Sequence, residues 1–264
     1  MQKAKDTKTC RPEKSYIIWS SQRTGSTYLC RCLENSRVAG HPNEWLHTKE
    51  NEPEALYAKY NCNEPCELQE AIWKNGLDAN GVFGLKVGFS QPHHTKMMEL
   101  FRQFPNCGRK GMDDIQVLDA VFPNCKHIWI TRRNKVRLAV SWWKAIKSGE
   151  FHREYGAPPE AKDIGDEYLF EAIDHLYCEA VMREAGTQEF FFAAGIVPHT
   201  VVYEDFIADK ASTLTSVLDY LGLTVPNDLG LANQSTEKLA DDLSEAWVQR
   251  YREEKQRNWQ NGGW

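Results

Sequence analysis

Residues 15–36 read SYIIWSSQRTGSTYLCRCLENS, and this stretch decides the fold. Residues 16–19 are an apolar run of β-formers, too short for a helix, which predicts a buried strand. Gln22-Arg23-Thr24-Gly25 carries turn chemistry, with Gly25 free to adopt a backbone angle that other residues avoid. From Ser26 the pattern becomes helical, with Tyr28, Leu29, Cys32 and Leu33 on one face. Strand, glycine turn and helix start together aim unpaired backbone N–H groups and the positive end of a helix dipole at one point, which suits a phosphate. The same residues also allow an ordinary strand-to-helix turn in which Gly25 and Ser26 simply cap the helix.

The turn departs from the phosphate loop of ATP-using enzymes. That pattern, Gly-x-x-x-x-Gly-Lys-Ser/Thr, needs a first glycine that is missing here, and Ser26 stands where the Lys belongs. The cation of this turn is Arg23, placed before the glycine. Kinases use the Lys against the transferred phosphate, so its loss weakens phosphoryl transfer but leaves a phosphate cradle.

A chain of 264 residues is long enough for one α/β domain with a sizeable core. The net charge of −5 gives no bulk attraction to nucleic acid or an anionic membrane, so any anion must be held locally. Residues 1–14 are polar and charged, without the apolar core of a signal peptide, and are expected to be a flexible N-terminus. No run is long enough to span a bilayer, and a cytoplasmic setting is expected. The eight cysteines fit that setting as free thiols, with disulfides Cys62–Cys66 or Cys107–Cys125 as the alternative.

Further along, residues 38–47 form a loop in which polar groups stand beside aromatic ones: His41, Asn43, Glu44, Trp45 and His47. Glu44 lies one helix and a short return beyond Gly25, which brings it back towards the phosphate end of the strand; a solvated loop carboxylate is the plain alternative. Residues 82–88 predict a second buried strand carrying Lys86, a cation that must either surface or meet an anion. Short helices follow over 93–104 and 113–122. Residues 127–131 predict a third strand, and the helix after it has Val136, Ala139, Val140, Trp143 and Ile146 inward. That helix opens with Arg132, Arg133, Lys135 and Arg137, cations that oppose its dipole unless an anion sits among them. Arg132 and Ser141 could reach one phosphate from two sides, or the face could simply be solvated and basic. A helix over 166–194, with Leu169, Ile173, Leu176 and Ala180 as its stripe, is followed by a strand over 198–203. A helix over 205–221 then ends at Gly222, residues 223–239 form a loop over the ligand, and the last helix covers 241–259.

Two anion sites at the ends of parallel strands suggest one nucleotide with phosphates at both ends of its ribose. The order Ser-Gln-Arg-Thr-Gly-Ser-Thr (21–27), Val-Ala-Gly-His-Pro-Asn-Glu-Trp (38–45) and Arg132 through Ala-Val-Ser-Trp-Trp (139–143) resembles the bacterial trehalose 2-sulfotransferase family. The segments at 201–206 and 245–251 are similar too, so the resemblance covers most of the chain. It implies a P-loop-like sulfotransferase fold: a single domain over 1–264 with a mainly parallel sheet flanked by helices. It also implies sulfuryl transfer from 3′-phosphoadenosine 5′-phosphosulfate to a carbohydrate or glycolipid hydroxyl, and a homodimer; with no carboxylate cluster to mark a Mg²⁺ site and the charge and apolar runs noted above, no metal, nucleic acid or integral membrane contact is expected. On that resemblance Ser21, Gln22, Arg23, Thr24, Gly25, Ser26 and Thr27 would cradle the 5′-phosphosulfate, and Arg132 and Ser141 the 3′-phosphate. Glu44 would be the general base and Arg23 would stabilise the leaving group. His41, Asn43, Trp45, His47 and Lys86 are the expected acceptor-side residues, and Trp45, Trp142 and Trp143 could offer stacking faces to sugar rings. His41 stands where the family's trehalose enzyme carries an acidic residue, and the spacing over 51–79 is unlike it, which leaves the acceptor open. A nucleotide-dependent kinase and a non-catalytic binder of adenosine bisphosphate are the competing readings.

Overall fold

Four short runs of β-branched and aromatic residues lie side by side in a computed structural model, which describes residues 11–48, 52–88, 90–107, 111–153, 156–158, 162–232, 241–257 and 259. In chain order the elements are β1 (Lys14–Ser20), α1 (Ser26–Asn35), α2 (Ala55–Tyr60), α3 (Pro65–Gly76), β2 (Val82–Gly88), α4 (Gln91–Phe101), α5 (Asp114–Val121), β3 (Cys125–Thr131), α6 (Lys135–Ser148), α7 (Phe170–Ala193), β4 (His199–Val202), α8 (Tyr203–Ala208), α9 (Lys210–Leu221) and α10 (Asp242–Gln256). The four strands pair in parallel, in the order β2-β1-β3-β4. A tight turn cannot join parallel strands, so each strand is followed by helix before the next. The chain places β2 on one side of β1 and then β3 on the other. In open sheets of this kind the crevice beyond the carboxyl ends at such a reversal, here between β1 and β3, is where ligands bind.

Side chains alternate across β1, and the two faces bury separate cores. Ile17 and Trp19 join Phe83 and Leu85 against α3, α4 and α5. Tyr16 and Ile18 join Ile128, Ile130 and Val201 against α1 and α9. A third core, built on Leu138, Trp142, Ile173, Leu176, Trp247 and Tyr251, binds α6 to α7 and α10. The chain is thus an α/β fold with helices on both faces of a parallel sheet, as expected.

Several expectations need correction. β1 begins at Lys14, and Glu13 N–H already bonds Gly81 O at 2.9 Å, so the end of the expected flexible N-terminus is held; residues 1–10 lie outside the described residues. In α6 the buried residues are Leu138, Ala139, Val140, Trp142 and Ala145, while Ile146 is 45% exposed. With tryptophans at 142 and 143 either phase looks apolar; packing against α7 and α10 selects Trp142, and Trp143 turns its N–H to Glu167 O at 2.7 Å. Leu169 is exposed with extended backbone, so α7 starts at Phe170. The helix expected over 205–221 is two helices, because Tyr203 already opens α8 and Asp209 leaves helical geometry to cap α9 through Ser212 N–H at 3.0 Å. Cys62, Cys66, Cys107 and Cys125 are free, so neither alternative disulfide is present. In the loop over 223–239, residues 233–239 lie outside the described residues. Before them, Leu223, Val225, Leu229 and Leu231 pack into the α1–α9 core, and Gly230 lies against Asn35 at the end of α1 remote from the turn. No helix among the described residues is long and apolar enough to cross a membrane.

Candidate active site

The turn after β1 is wound tightly enough to leave its donors facing outward. Arg23 and Gly25 both take left-handed backbone angles, φ 62° and 84°, and buried Thr24 fastens the turn by donating from Oγ1 to Ser21 O at 2.9 Å. α1 then starts without a side-chain cap and without an acidic residue in its first turn. Its first amides therefore keep their preference for an anion. Ser21 Oγ is buried and has no hydrogen-bond partner. The close approach of Tyr203 explains Gly25: a Cβ there would lie 2.4 Å from Tyr203 Cδ2.

The second cationic group comes from β3 and α6. Of the four cations at the start of α6, three are matched by carboxylates: Arg133 by Asp205, Lys135 by buried Glu184 at 2.8 Å and Arg137 by Glu245. The Glu204 carboxylate accepts from the N–H groups of Arg133 and Asn134 at 3.0 and 3.2 Å, offsetting the cost of cations at a helix start. Arg132 is the exception. Its Nε is buried without a hydrogen bond, and the nearest Glu204 oxygen is 3.9 Å away. Its guanidinium stacks over the Tyr203 ring at 4.8 Å, and its NH1 donates to Arg23 O at 3.3 Å.

Arg23 and Arg132 therefore line one crevice, Arg132 on the Arg23 carbonyl and the Arg23 side chain on Ser141, to whose Oγ its Nε donates at 3.1 Å. Burial, then the positive charge of Arg132, lowers the Arg23 pKa from its usual value. Burial also lowers that of Arg132, with Arg137 adding and Tyr203 and Glu204 opposing. Two desolvated cations in one crevice are a cost that a bound polyanion removes.

After α1 in the chain, the 41–48 loop is fixed to β2. Asn43 bridges Leu85 in parallel fashion, Lys86 N–H donates to Asn43 O at 2.9 Å, and Glu44 N–H donates to Asn43 Oδ1 at 2.8 Å. Trp45 turns its indole N–H to His41 O and Gly84 O at 3.0 and 3.1 Å. Glu44 is half exposed (49%), and Lys86, only 6% exposed, lies 3.1 Å from it while donating to Thr27 Oγ1 at 2.9 Å. The odd cation of β2 meets an anion, and the pair joins Glu44 to the first turn of α1.

Other expected residues are engaged by partners of their own. Gln22 Oε1 accepts from Arg183 of α7 at 2.9 Å, and exposed His41 pairs with Glu34 at 2.9 Å. His47 is exposed, and its carbonyl accepts from Lys59 at 3.0 Å. Trp142 lies in the third core and Trp143 is bonded along its edge, so neither presents a free stacking face. Tyr203, Glu204 and His152 were not singled out from the sequence. Tyr203 had one signal, an aromatic residue at a strand-to-helix junction; the role of Glu204 as a remote cap had none.

The Stf0 sulphotransferase family model matches residues 15–254. The chain is 27% identical to trehalose 2-sulfotransferase of Mycolicibacterium smegmatis and 25% identical to that of Mycobacterium tuberculosis, in each case over 92% of this chain and 96% of the relative. A solved sulfotransferase from Alicyclobacillus acidocaldarius is similar with a TM-score of 0.49 and 14% identity, over 91% of this chain and 92% of that one. The family match spans the turn, Glu44, Lys86, Arg132 and most of α10, and the chain belongs to the Stf0 sulphotransferase family.

Proposed function

We propose that this sulfotransferase takes its sulfuryl group from 3′-phosphoadenosine 5′-phosphosulfate and passes it to a carbohydrate or glycolipid hydroxyl, with Glu44 as general base. The observation that carries this reading is the pairing of two half-buried cations, Arg132 donating to the carbonyl of Arg23, with Ser21 Oγ of the turn and Arg132 Nε both left without a hydrogen-bond partner. Those donors fit a nucleotide phosphorylated at two positions. The turn over Ser21, Gln22, Arg23, Thr24, Gly25, Ser26 and Thr27 would hold the 5′ end, and Arg132 with Ser141 the 3′-phosphate.

Glu44 takes the proton of the acceptor hydroxyl as its oxygen bonds to sulfur in line. The bond from sulfur to the bridging oxygen breaks, and adenosine 3′,5′-bisphosphate leaves with charge developing on its 5′-phosphate. Arg23 and the amides of the turn stabilise that charge. Lys86 holds the Glu44 carboxylate on one side and leaves the other open to the acceptor. The free described cysteines suit action in the reducing cytoplasm. The exposed apolar side chains of α7, Met182 and Phe192, are the face a second copy would cover in a homodimer.

The test is incubation with sulfur-labelled donor and a panel of sugars and glycolipids, beginning with trehalose, the sugar named in the relatives' activity. Labelled product is expected. Glu44→Gln should lower turnover by ~10²–10⁴-fold while leaving bisphosphate binding intact. Turnover of Mg²⁺-ATP without any sulfated product would instead favour the kinase reading.

A further inference from the structure

The loop after α6 holds a residue at the cleft that the scheme above does not use. α6 ends at Gly149, whose φ of 83° turns the chain back and whose N–H closes on Ala145 O at 2.9 Å. Glu150 N–H donates to Ser148 Oγ at 3.1 Å, and Arg153 grips the Glu150 carboxylate with two bonds of 2.6 Å, both side chains being largely buried. Phe151 and His152 are the exposed tip of this clamped loop, and Arg23 reaches across the crevice to donate to Phe151 O.

His152 follows directly on Phe151, whose carbonyl accepts from Arg23, so this exposed residue stands at the edge of the crevice that Arg23 lines. The loop tip and the Glu44–Lys86 pair thus approach the same end of α1, the tip through Arg23 of the turn and the pair through Thr27 in the helix's first turn. Arg23, Arg31 and Lys86 can only donate hydrogen bonds and ionised Glu44 can only accept, whereas a neutral imidazole does both, as a sugar hydroxyl requires. Partial burial of the ring first, then the charges of Arg23, Lys86 and Arg31, hold the His152 pKa below its usual value against the opposing pull of Glu44, which favours the neutral ring.

We infer that His152 forms part of the acceptor side of the cleft, hydrogen-bonding a sugar hydroxyl beside the one that Glu44 deprotonates; this rests on the sulfuryl-transfer reading above. The test is transfer kinetics of the full chain with trehalose, or the labelled sugar of the panel, varied at saturating donor. Calorimetric titration of adenosine 3′,5′-bisphosphate runs in parallel and also reports whether each variant is folded. His152→Ala should raise the acceptor KM about tenfold with bisphosphate affinity unchanged. His152→Gln, which keeps a donor and an acceptor, should recover most of that loss, and His152→Phe should not. An unchanged acceptor KM in His152→Ala, or a fall in bisphosphate affinity, overturns the assignment. Wild-type protein that sulfates no acceptor sinks the underlying reading first, before any variant is made.

Discussion

Arg132 shows how one residue acquires a role through what its neighbours already have. Arg133, Lys135 and Arg137 are held closely by carboxylates, whereas Arg132 has only a loose pairing with Glu204 at 3.9 Å and an unbonded Nε, so it is the cation best placed to meet a ligand. Nothing in the spacing of the four distinguishes them; their partners Asp205, Glu184 and Glu245 come from distant parts of the chain. His127 is a residue with a structural consequence instead. It is buried, its Nδ1 accepts the Trp19 indole N–H at 3.0 Å, and burial lowers its pKa to about 4. The unfolded chain therefore binds the His127 proton more readily than the native one between pH 6.5 and about 4. Its share of stability is complete above pH 6.5 and falls by about 3 kcal/mol as pH drops through that window. Urea unfolding from pH 7 to pH 4 should show a shallower pH dependence in His127→Gln than in the wild type. Identical slopes would contradict the burial of a neutral imidazole.

At the scale of elements, the site is made where the turn before α1 meets the first residue of α8. Tyr203 fills the space over Gly25 and supports the Arg132 guanidinium. Gly25→Ala forces a Cβ into that ring at a φ of 84°, so it should cost about 1–3 kcal/mol of stability. It should also weaken bisphosphate binding, because Tyr203 must move from beneath Arg132. Chemical denaturation and a binding titration check both effects, and a variant unchanged in both would mean that the contact is idle. The strands were the legible part of this architecture: the run over 82–88 coincides with β2, and the glycine turn follows β1 where its chemistry predicts. The helices were less legible. Adjacent tryptophans hid the phase of α6, and the break at Asp209 follows from a cap that a 3.6-residue pattern does not reveal. Lys86 was legible as an anomaly, but its pairing with Glu44 and Thr27 needed the parallel bridge of Asn43 to Leu85. His152 was not legible, since nothing around a loop histidine in the sequence shows that Arg23, far back in the chain, will bond the carbonyl beside it.

Over the whole molecule, three cores hold β1, β3 and the helices that carry the site, so the crevice between Arg23 and Arg132 is set by packing on both faces of the sheet. A single nucleotide gripped at both ends should therefore bind better than one phosphorylated at the 5′ position alone. Calorimetric titration of the wild type and Arg132→Met with adenosine 3′,5′-bisphosphate and with adenosine 5′-monophosphate measures this directly. A charged contact to the 3′-phosphate contributes about 1.5–3 kcal/mol, or roughly ten- to a hundredfold in affinity. We predict that the wild type prefers the bisphosphate by that factor and that Arg132→Met loses the preference while keeping its affinity for the monophosphate. Equal affinities of the wild type for the two nucleotides would contradict the two-ended site.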